Sequence, residues 1–229
     1  IEYFSSGNFV YFQSTKLASD QLLAALQDDG IHMVGLYGMG GSGKTTLVKE
    51  VGKRAKESKL FDRVIFTTVS QNPDVGEIQN EIADLLGLRF DEQSEAGKVR
   101  RLFMRLSSGE RILLILDDVW TNIDLKDVGI PFGDYGGCKI LLTTRRQQVC
   151  NLMDCEKKIF LDLLSDDESW TLFQKHARIV DKSLYSVARE IVGECKGLPI
   201  AIQAVGASLK GKSKEEWKEA LGRLRDSKP

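Results

Sequence analysis

The sequence predicts an α/β fold, with a three-layer domain built on a parallel sheet and followed by a small helical bundle. Two observations predict it. Short apolar runs alternate with helical patterns in the first part of the chain, which is typical of βαβ units. Beyond about Leu164 only helical patterns follow one another, joined by short connections. We therefore expect two domains, residues 1–164 and 165–229, with residues 1–30 as a lead-in segment and helix to the first.

The predicted strands are short runs of β-forming apolar residues bounded by turn residues. The clearest is Ile31–Tyr37, which lies between Asp-Asp-Gly and Gly-Met-Gly-Gly. The run Ile112–Leu116 has no polar residue, as expected for a strand buried on both faces. The other expected strands are Arg63–Val69, Lys139–Leu142 and, with a weaker pattern, Lys158–Leu161. Helical patterns precede or separate them at Thr15–Gln27, Thr45–Ser58, Val75–Leu86 and Ala96–Ser107.

The predicted bundle has four helices. The first has an acidic first turn, and the second is ended by Gly197. The third begins with Pro199, which suits the first helical turn. The fourth carries Trp217, Leu221 and Leu224 on one stripe. Their expected bounds are Asp166–Ala177, Leu184–Cys195, Pro199–Leu209 and Lys214–Arg225.

Composition excludes several classes of protein. The chain has 229 residues, with 32 Lys and Arg against 33 Asp and Glu, so it lacks the basic surplus of a dedicated nucleic-acid binder. Its apolar runs are far shorter than the roughly 20 residues of a membrane span, and no signal peptide is recognisable. We expect a cytoplasmic protein with no membrane span and no nucleic-acid partner. The four cysteines form no C-x-x-C pair, which favours free buried thiols over a zinc site or disulfides.

A glycine-rich segment follows the first predicted strand and precedes a predicted helix. Its residues are Gly38-Met39-Gly40-Gly41-Ser42-Gly43-Lys44-Thr45, which satisfy the pattern G-x-x-x-x-G-K-[ST]. Glycines let successive backbone N–H groups turn toward a phosphate, and the helix N-terminus adds positive potential. We expect Lys44 to reach the β- and γ-phosphates and the Thr45 hydroxyl to bind Mg²⁺.

Two further strand ends carry charged residues. Ile112–Leu116 is followed by Asp117 and Asp118, as in a Walker B segment. Asp117 would hold Mg²⁺ through water, and Asp118 could position or activate a water against the γ-phosphate. Arg145 follows Leu141-Leu142-Thr143-Thr144 and could sense the γ-phosphate. Taken alone, Arg145 and Arg146 are more simply a solvated basic pair.

Together these motifs resemble the NB-ARC domain, the nucleotide switch of plant intracellular immune receptors and of related animal apoptosis regulators. The phosphate loop, continued by Thr46 and Leu47, looks like that of the family, and the other motifs follow in the family's order. They are Phe61-Asp62 through Val69-Ser70-Gln71, the Walker B segment Leu113–Trp120 (LLILDDVW), Gly137–Arg145, and Gly197-Leu198-Pro199-Ile200-Ala201. The Walker B segment ends in Trp120, as in the plant coiled-coil class.

The resemblance assigns roles to particular residues. It implies that the phosphate loop, including Thr46, binds ADP or ATP, that Pro199 packs against the adenine, and that Arg145 senses the γ-phosphate. It also implies that the segment around Phe12 lines the base pocket. The family often has an arginine near the position of Ser14, whereas here the nearest basic residue is Lys16.

The resemblance further implies an ADP/ATP switch module of a plant disease-resistance receptor, at most a slow ATPase. ADP would hold a closed state, and ATP would favour an open, oligomerising one. The family's winged helix with its Met-His-Asp motif, its leucine-rich repeats and its coiled coil are not found in the sequence. We therefore expect a fragment, with those domains of the same receptor as partners.

Three alternatives remain. A P-loop kinase or other phosphotransferase would need an acceptor site and usually an arginine-bearing lid, neither of which is recognisable, and it would leave Gly197–Ala201 unexplained. A DNA-processing motor predicts a basic face, which the balanced charge disfavours. A regulator of the same class of signal-transduction ATPase outside plant immunity stays open.

Overall fold

The structure, a computed structural model, describes residues 12–133 and 137–226 and divides into two compact units. The first unit contains residues 15–38 and 44–161. The second contains residues 12–14, 39–43 and 162–226. The sequence predicts two contiguous domains, whereas here two short N-terminal segments group with the C-terminal run.

Every strand and helix predicted above is present. In the first unit the elements are α1 (Gln13–Gln27, belonging to this unit from Thr15), β1 (Met33–Tyr37), α2 (Lys44–Glu57), β2 (Arg63–Thr68), α3 (Val75–Leu86), α4 (Glu95–Leu106), β3 (Ile112–Asp117), α5 (Leu125–Val128), β4 (Cys138–Thr144), α6 (Gln147–Leu152) and β5 (Lys157–Phe160). In the second they are α7 (Asp166–Ala177), a 3₁₀ turn (Lys182–Leu184), α8 (Tyr185–Glu194), α9 (Pro199–Leu209) and α10 (Lys214–Asp226).

The five strands form one sheet in the order β2-β3-β4-β1-β5, and each neighbouring pair is parallel. All six residues of β3 are buried, which explains why its sequence is an unbroken apolar run. Because all strands point the same way, their carboxyl ends meet at one edge of the sheet. Ligands bind at this edge in open α/β folds.

The core of the first unit lies on both faces of the sheet. Residues of β3 alternate between the faces. Leu114 packs with side chains from α3 to α6, and Leu113 packs with side chains from α1 and α2. Each such Leu or Ile contributes about 1.5–3 kcal/mol by leaving water. The predicted three-layer α/β fold is therefore confirmed.

The structure differs from the sequence prediction at a few boundaries. β4 runs to Thr144 rather than Leu142, because the β-branched Thr143 and Thr144 pair with Leu36 and Tyr37 of β1. Arg145 therefore follows the last strand residue directly. The sequence does not predict α5 and α6, which are too short to show a helical period.

The second unit is a helical bundle with its own core. Phe173 and Trp217 are buried in it, with their rings edge to face at 5.8 Å. At the start of α7, the Ser165 and Glu168 side chains each accept a hydrogen bond from the other's backbone N–H. This capping box fixes the first helix of the bundle after the last strand.

The cysteines are free and buried, as expected from the sequence. Burial raises the pKa of the Cys138 thiol to about 12. No group of His, Cys, Asp or Glu in residues 12–133 and 137–226 has the arrangement of a metal site. Over the same ranges, no helix combines the length and the apolar character that crossing a membrane requires.

Candidate functional site

The glycine-rich loop connects the carboxyl end of β1 to the first residue of α2. Gly38 is anchored to the sheet, since its N–H donates to the Thr144 carbonyl at 3.3 Å. Gly41 and Gly43 have φ angles of 80° and 98°, which glycine adopts without strain. The loop is followed directly in the chain by α2, whose first N–H groups have no partner within a helix.

Lys44 is drawn into the base of the loop. Its ammonium donates to the Gly38 carbonyl at 2.8 Å, and the residue is 7% exposed. Burial lowers the pKa of Lys44, an effect that Asp118 and Asp117 oppose and that the nearby Arg145 increases. A lysine ammonium held beside this loop is suited to bind an anion.

The Asp117 carboxylate, at the end of β3, is held by two threonine hydroxyls. The Thr45 hydroxyl donates to Asp117 Oδ2 at 2.8 Å, and the Thr143 hydroxyl donates to Oδ1 at 2.6 Å. Asp117 is 4% exposed. A hydroxyl and a carboxylate side by side form the oxygen donor set that Mg²⁺ prefers. Thr143 was not predicted as a site residue, although its place at the carboxyl end of a strand was a signal.

Asp118 has a different environment from its neighbour. Its φ of 57° turns the chain out of β3, and its N–H donates to the Thr143 hydroxyl at 2.9 Å. Arg145 Nε lies 3.5 Å from Asp118 Oδ1, and the Trp120 Nε1–H donates to Oδ2 at 3.1 Å. The guanidinium carbon of Arg145 lies 4.3 Å from the centre of the Trp120 ring.

The middle of the loop packs within the second unit. The Ile200 N–H, in the first turn of α9, donates to the Gly41 carbonyl at 3.4 Å. A Cβ on Gly41 would lie 2.4 Å from Ile200 Cγ2, so the position accepts only glycine. The Ser42 hydroxyl oxygen is buried and has no partner within the described residues. An unsatisfied buried hydroxyl in this loop fits a bound phosphate.

Gly197 and Pro199 set the start of α9. Gly197 has a φ of 71°, and a Cβ there would lie 2.4 Å from the Leu164 carbonyl oxygen, so glycine is required. The Leu164 N–H donates to the Gly197 carbonyl at 2.9 Å. Pro199 is the first residue of α9 and is half-buried. Leu198, the N-cap, makes no side-chain capping bond, so proline at N1 is the local reason for the helix start.

The remaining predicted residues lie as follows. Phe12 is half-buried against the core of the second unit, and Thr46 is exposed in the first turn of α2. Ser14 donates from its N–H to the Glu168 carboxylate at 3.1 Å. The resemblance suggests an arginine near this position. Here Ser14 instead holds Glu168, a residue of the capping box of α7.

In the first unit, the structure brings Gly38, Lys44, Thr45, Asp117, Asp118 and Arg145 together at the carboxyl edge of the sheet. In the second, it brings Gly41 beside the start of α9, and Ser42 follows Gly41 in the same loop segment. Gly40 and Gly43 lie in the same loop segment. Two features were not predicted from the sequence. They are the hydrogen bonds of Thr143 and the contacts of Trp120 with Asp118 and Arg145.

A parallel sheet whose carboxyl edge carries this loop, a buried lysine and paired carboxylates defines a nucleotide-binding protein of the P-loop class. The chain belongs to the NB-ARC domain family, which it matches over residues 15–182. Two relatives in Arabidopsis thaliana are Disease resistance protein At4g27190, 36% identical over 92% of this chain, and Disease resistance protein RPS5, 33% identical over 98%. This chain covers 23% and 27% of their lengths, so it spans about a quarter of the curated relatives it matches.

Solved structures share the fold at low sequence identity. Cdc6p from Pyrobaculum aerophilum aligns with a TM-score of 0.65 at 16% identity, covering 96% of this chain and 66% of that one. AMPPCP-bound DnaA from Aquifex aeolicus aligns with a TM-score of 0.60 at 17% identity, covering 99% and 71%. The signal-transduction ATPase PH0952 from Pyrococcus horikoshii, a STAND protein, aligns with a TM-score of 0.57 at 15% identity, covering 95% and 33%. These alignments agree with the P-loop fold.

Proposed function

We propose that this domain binds ADP and ATP with Mg²⁺ and serves as the nucleotide switch of a plant intracellular immune receptor. The observation that carries the proposal is the convergence of two cations, Lys44 and Arg145, and two carboxylates, Asp117 and Asp118, at one edge of the sheet. The family membership and the named disease resistance relatives support the receptor role.

In this proposal the loop N–H groups and Lys44 hold the phosphates, and the Ser42 hydroxyl, which has no partner among residues 12–133 and 137–226, gains one. Thr45 and Asp117 hold Mg²⁺, which when bound offsets phosphate charge. Arg145 contacts the γ-phosphate, and Asp118 orients the water of a slow hydrolysis. Pro199 and Phe12 contribute to the adenine pocket. AMPPCP, an ATP analogue, is the ligand of the DnaA structure above.

A switch requires that the two nucleotides favour different states, and a ligand shifts an equilibrium only by its differential affinity. Arg145 is the residue proposed to supply that difference, because only ATP has a γ-phosphate. ADP would then favour a closed receptor and ATP an open, oligomerising one. The winged-helix, leucine-rich-repeat and coiled-coil regions of a receptor in the cytoplasm would be the partners.

The binding site is tested by Lys44→Ala. At 100 times its dissociation constant, ADP should stabilise the wild-type domain by about 2.7 kcal/mol, which corresponds to a rise in Tm of about 5–10 °C. Lys44→Ala should lose this rise. Lys49→Ala is the matched control, because Lys49 lies on the same helix over the Phe66 ring, 4.5 Å from its centre. If ADP raises the Tm of Lys44→Ala as much as that of wild type, Lys44 does not bind the phosphates as proposed.

The nucleotide that co-purifies with the protein tests the switch. Release by acid and separation by ion-exchange chromatography should give ADP. Protein that is reproducibly empty and ignores added nucleotide would overturn the proposal. Efficient phosphate transfer to an added acceptor would favour a phosphotransferase instead.

A further inference from the structure

Trp120 lies just beyond β3 and has no role in the proposed function. Its indole N–H donates to Asp118 Oδ2 at 3.1 Å, and its ring lies 4.3 Å from the guanidinium carbon of Arg145. Arg145 Nε in turn lies 3.5 Å from Asp118 Oδ1. The three side chains therefore close a triangle in which each contacts both others.

The triangle is built on a fixed backbone. The Asp118 N–H donates to the Thr143 hydroxyl at 2.9 Å, and the Val119 N–H donates to the Thr143 carbonyl at 2.8 Å. Val119 is 1% exposed, so its side chain anchors the turn in the core. The segment after β3, which contains Trp120, is thus held beside the end of β4, which Arg145 follows directly.

The contacts restrict Arg145 in a particular way. A guanidinium is planar and carries five N–H donors. Asp118 attracts the Nε side of this group, and the Trp120 ring covers one face. Within the described residues, the terminal Nη groups of Arg145 have no hydrogen-bond partner, and the side chain is 48% exposed. Its orientation is fixed while its outer donors stay available to a ligand.

We propose that Trp120 is a positioning residue that holds Arg145 ready for the γ-phosphate of ATP, and so increases the preference for ATP over ADP. The inference rests on the proposed function, in which Arg145 contacts that phosphate. An arginine held in place before binding loses less side-chain entropy when it binds. This benefit applies to ATP alone, because ADP has no γ-phosphate.

The test compares Trp120→Leu and Trp120→Phe with wild type. Dissociation constants for ADP and for AMPPCP, both with Mg²⁺, are measured by titration calorimetry. Trp120→Leu loses both contacts, so its dissociation constant for AMPPCP should rise about 3–10-fold, while that for ADP changes less than about twofold. Trp120→Phe keeps a ring and should raise it about 2–3-fold. It also keeps the test available if Trp120→Leu folds poorly.

Trp170→Leu is the matched control. Trp170 also lies under an arginine, with the Arg189 guanidinium carbon 4.1 Å from the ring, but within the second unit. The same chemical change there can lower stability, yet it should leave the ratio of the two dissociation constants unchanged. A shift of that ratio in Trp170→Leu equal to that in Trp120→Leu would overturn the inference.

A double-mutant cycle separates this inference from the proposed function. Arg145→Ala should itself weaken AMPPCP binding relative to ADP, and adding Trp120→Leu should then change nothing further. If Arg145→Ala leaves the ratio unchanged, the proposed function of Arg145 fails. If Arg145→Ala shifts the ratio but Trp120→Leu does not, or shifts it toward ATP, the positioning role fails alone.

Discussion

Asp117 and Asp118 are adjacent in sequence, yet they belong to two different corners of the site. In the buried corner, Asp117 accepts hydrogen bonds from Thr45 and Thr143 and is 4% exposed. In the open corner, Asp118 contacts Trp120 and Arg145, whose side chain is half-exposed. Asp117 is the last residue of β3, whereas Asp118 lies outside the strand with a φ of 57°.

Asp117 therefore lies in a part of the site that its hydrogen bonds hold fixed, and Asp118 lies in a part that can adjust. Hydrogen bonds to a buried charge stabilise a fold by about 1.5–3 kcal/mol, and leaving such a group without partners costs as much. Half-exposed ion pairs contribute about 0–1 kcal/mol, because water screens them. We therefore expect the buried corner to affect folding stability and the open corner to affect mainly the choice of nucleotide.

The largest expected effect on stability is that of Thr143→Val. Valine has the shape of threonine but cannot donate to Asp117 or accept from the Asp118 N–H. We expect a loss of about 2 kcal/mol in the free energy of unfolding, measured with urea in the absence of nucleotide. Thr68→Val, at the exposed end of β2, is the control and should change it by less than about 0.5 kcal/mol. Equal effects of the two variants would show that the hydrogen bonds of Thr143 do not stabilise the buried corner.

The second prediction concerns pH and the buried Lys44. Because burial lowers its pKa in the free protein, while bound phosphate favours its charged form, ADP affinity should decline as pH rises toward 10.5, the ordinary value for lysine. The decline is at most about tenfold per pH unit. It is measured by calorimetry from pH 8 upward, with Lys49→Ala as a control that should keep the wild-type profile.

The stability of the free protein should change in the opposite direction. The unfolded state binds the Lys44 proton more tightly than the folded state, so the free energy of unfolding gains a contribution as pH rises through the lowered pKa. Lys44→Met should lack this contribution. If its stability follows pH as wild type does, the lysine is not buried as described.

The smallest expected effect on stability is that of Asp118→Asn in the open corner. Asparagine tolerates the left-handed φ and can still accept from Trp120, so only the charge attraction to Arg145 and Lys44 is lost. We expect a change below about 1 kcal/mol in urea unfolding. Asp118→Ala should cost about 1 kcal/mol more, because alanine is strained at this φ. A loss in Asp118→Asn as large as that in Thr143→Val would contradict the distinction between the two corners.

Much of the fold could be predicted from local patterns. The loop from Gly38 to Thr45 and the run ending at Asp117 carry short-range signals, whereas the strand order depends on pairings between residues distant in sequence and was not predicted. The six-residue α6 could not be predicted, because Arg146 at its N-cap makes no side-chain capping bond. The helix depends on tertiary contacts such as those of Val149 in the core.

The site was predictable as a set of residues but not as a set of contacts. Sequence reasoning brings Asp118 and Arg145 to one edge of the sheet, since both follow parallel strands. It does not show that Trp120 covers Arg145, because that contact depends on the turn angle at Asp118. The motif that contains Gly197 was visible in the sequence. Only the structure shows why glycine is needed there, because the Leu164 carbonyl approaches Gly197 closely.

The strand order β2-β3-β4-β1-β5 has a consequence for folding during synthesis. β1 is the first strand to be made, but its two neighbours, β4 and β5, are the last, as the pairings of Val34 with Leu141 and Lys157 illustrate. Pairings between strands distant in sequence form slowly. A nascent chain would therefore hold β1 unpaired until β4, which ends at Thr144, has emerged from the ribosome. The loop that follows β1 would lack its anchor on Thr144 until then, so nucleotide binding would mark the chains in which β4 has joined the sheet.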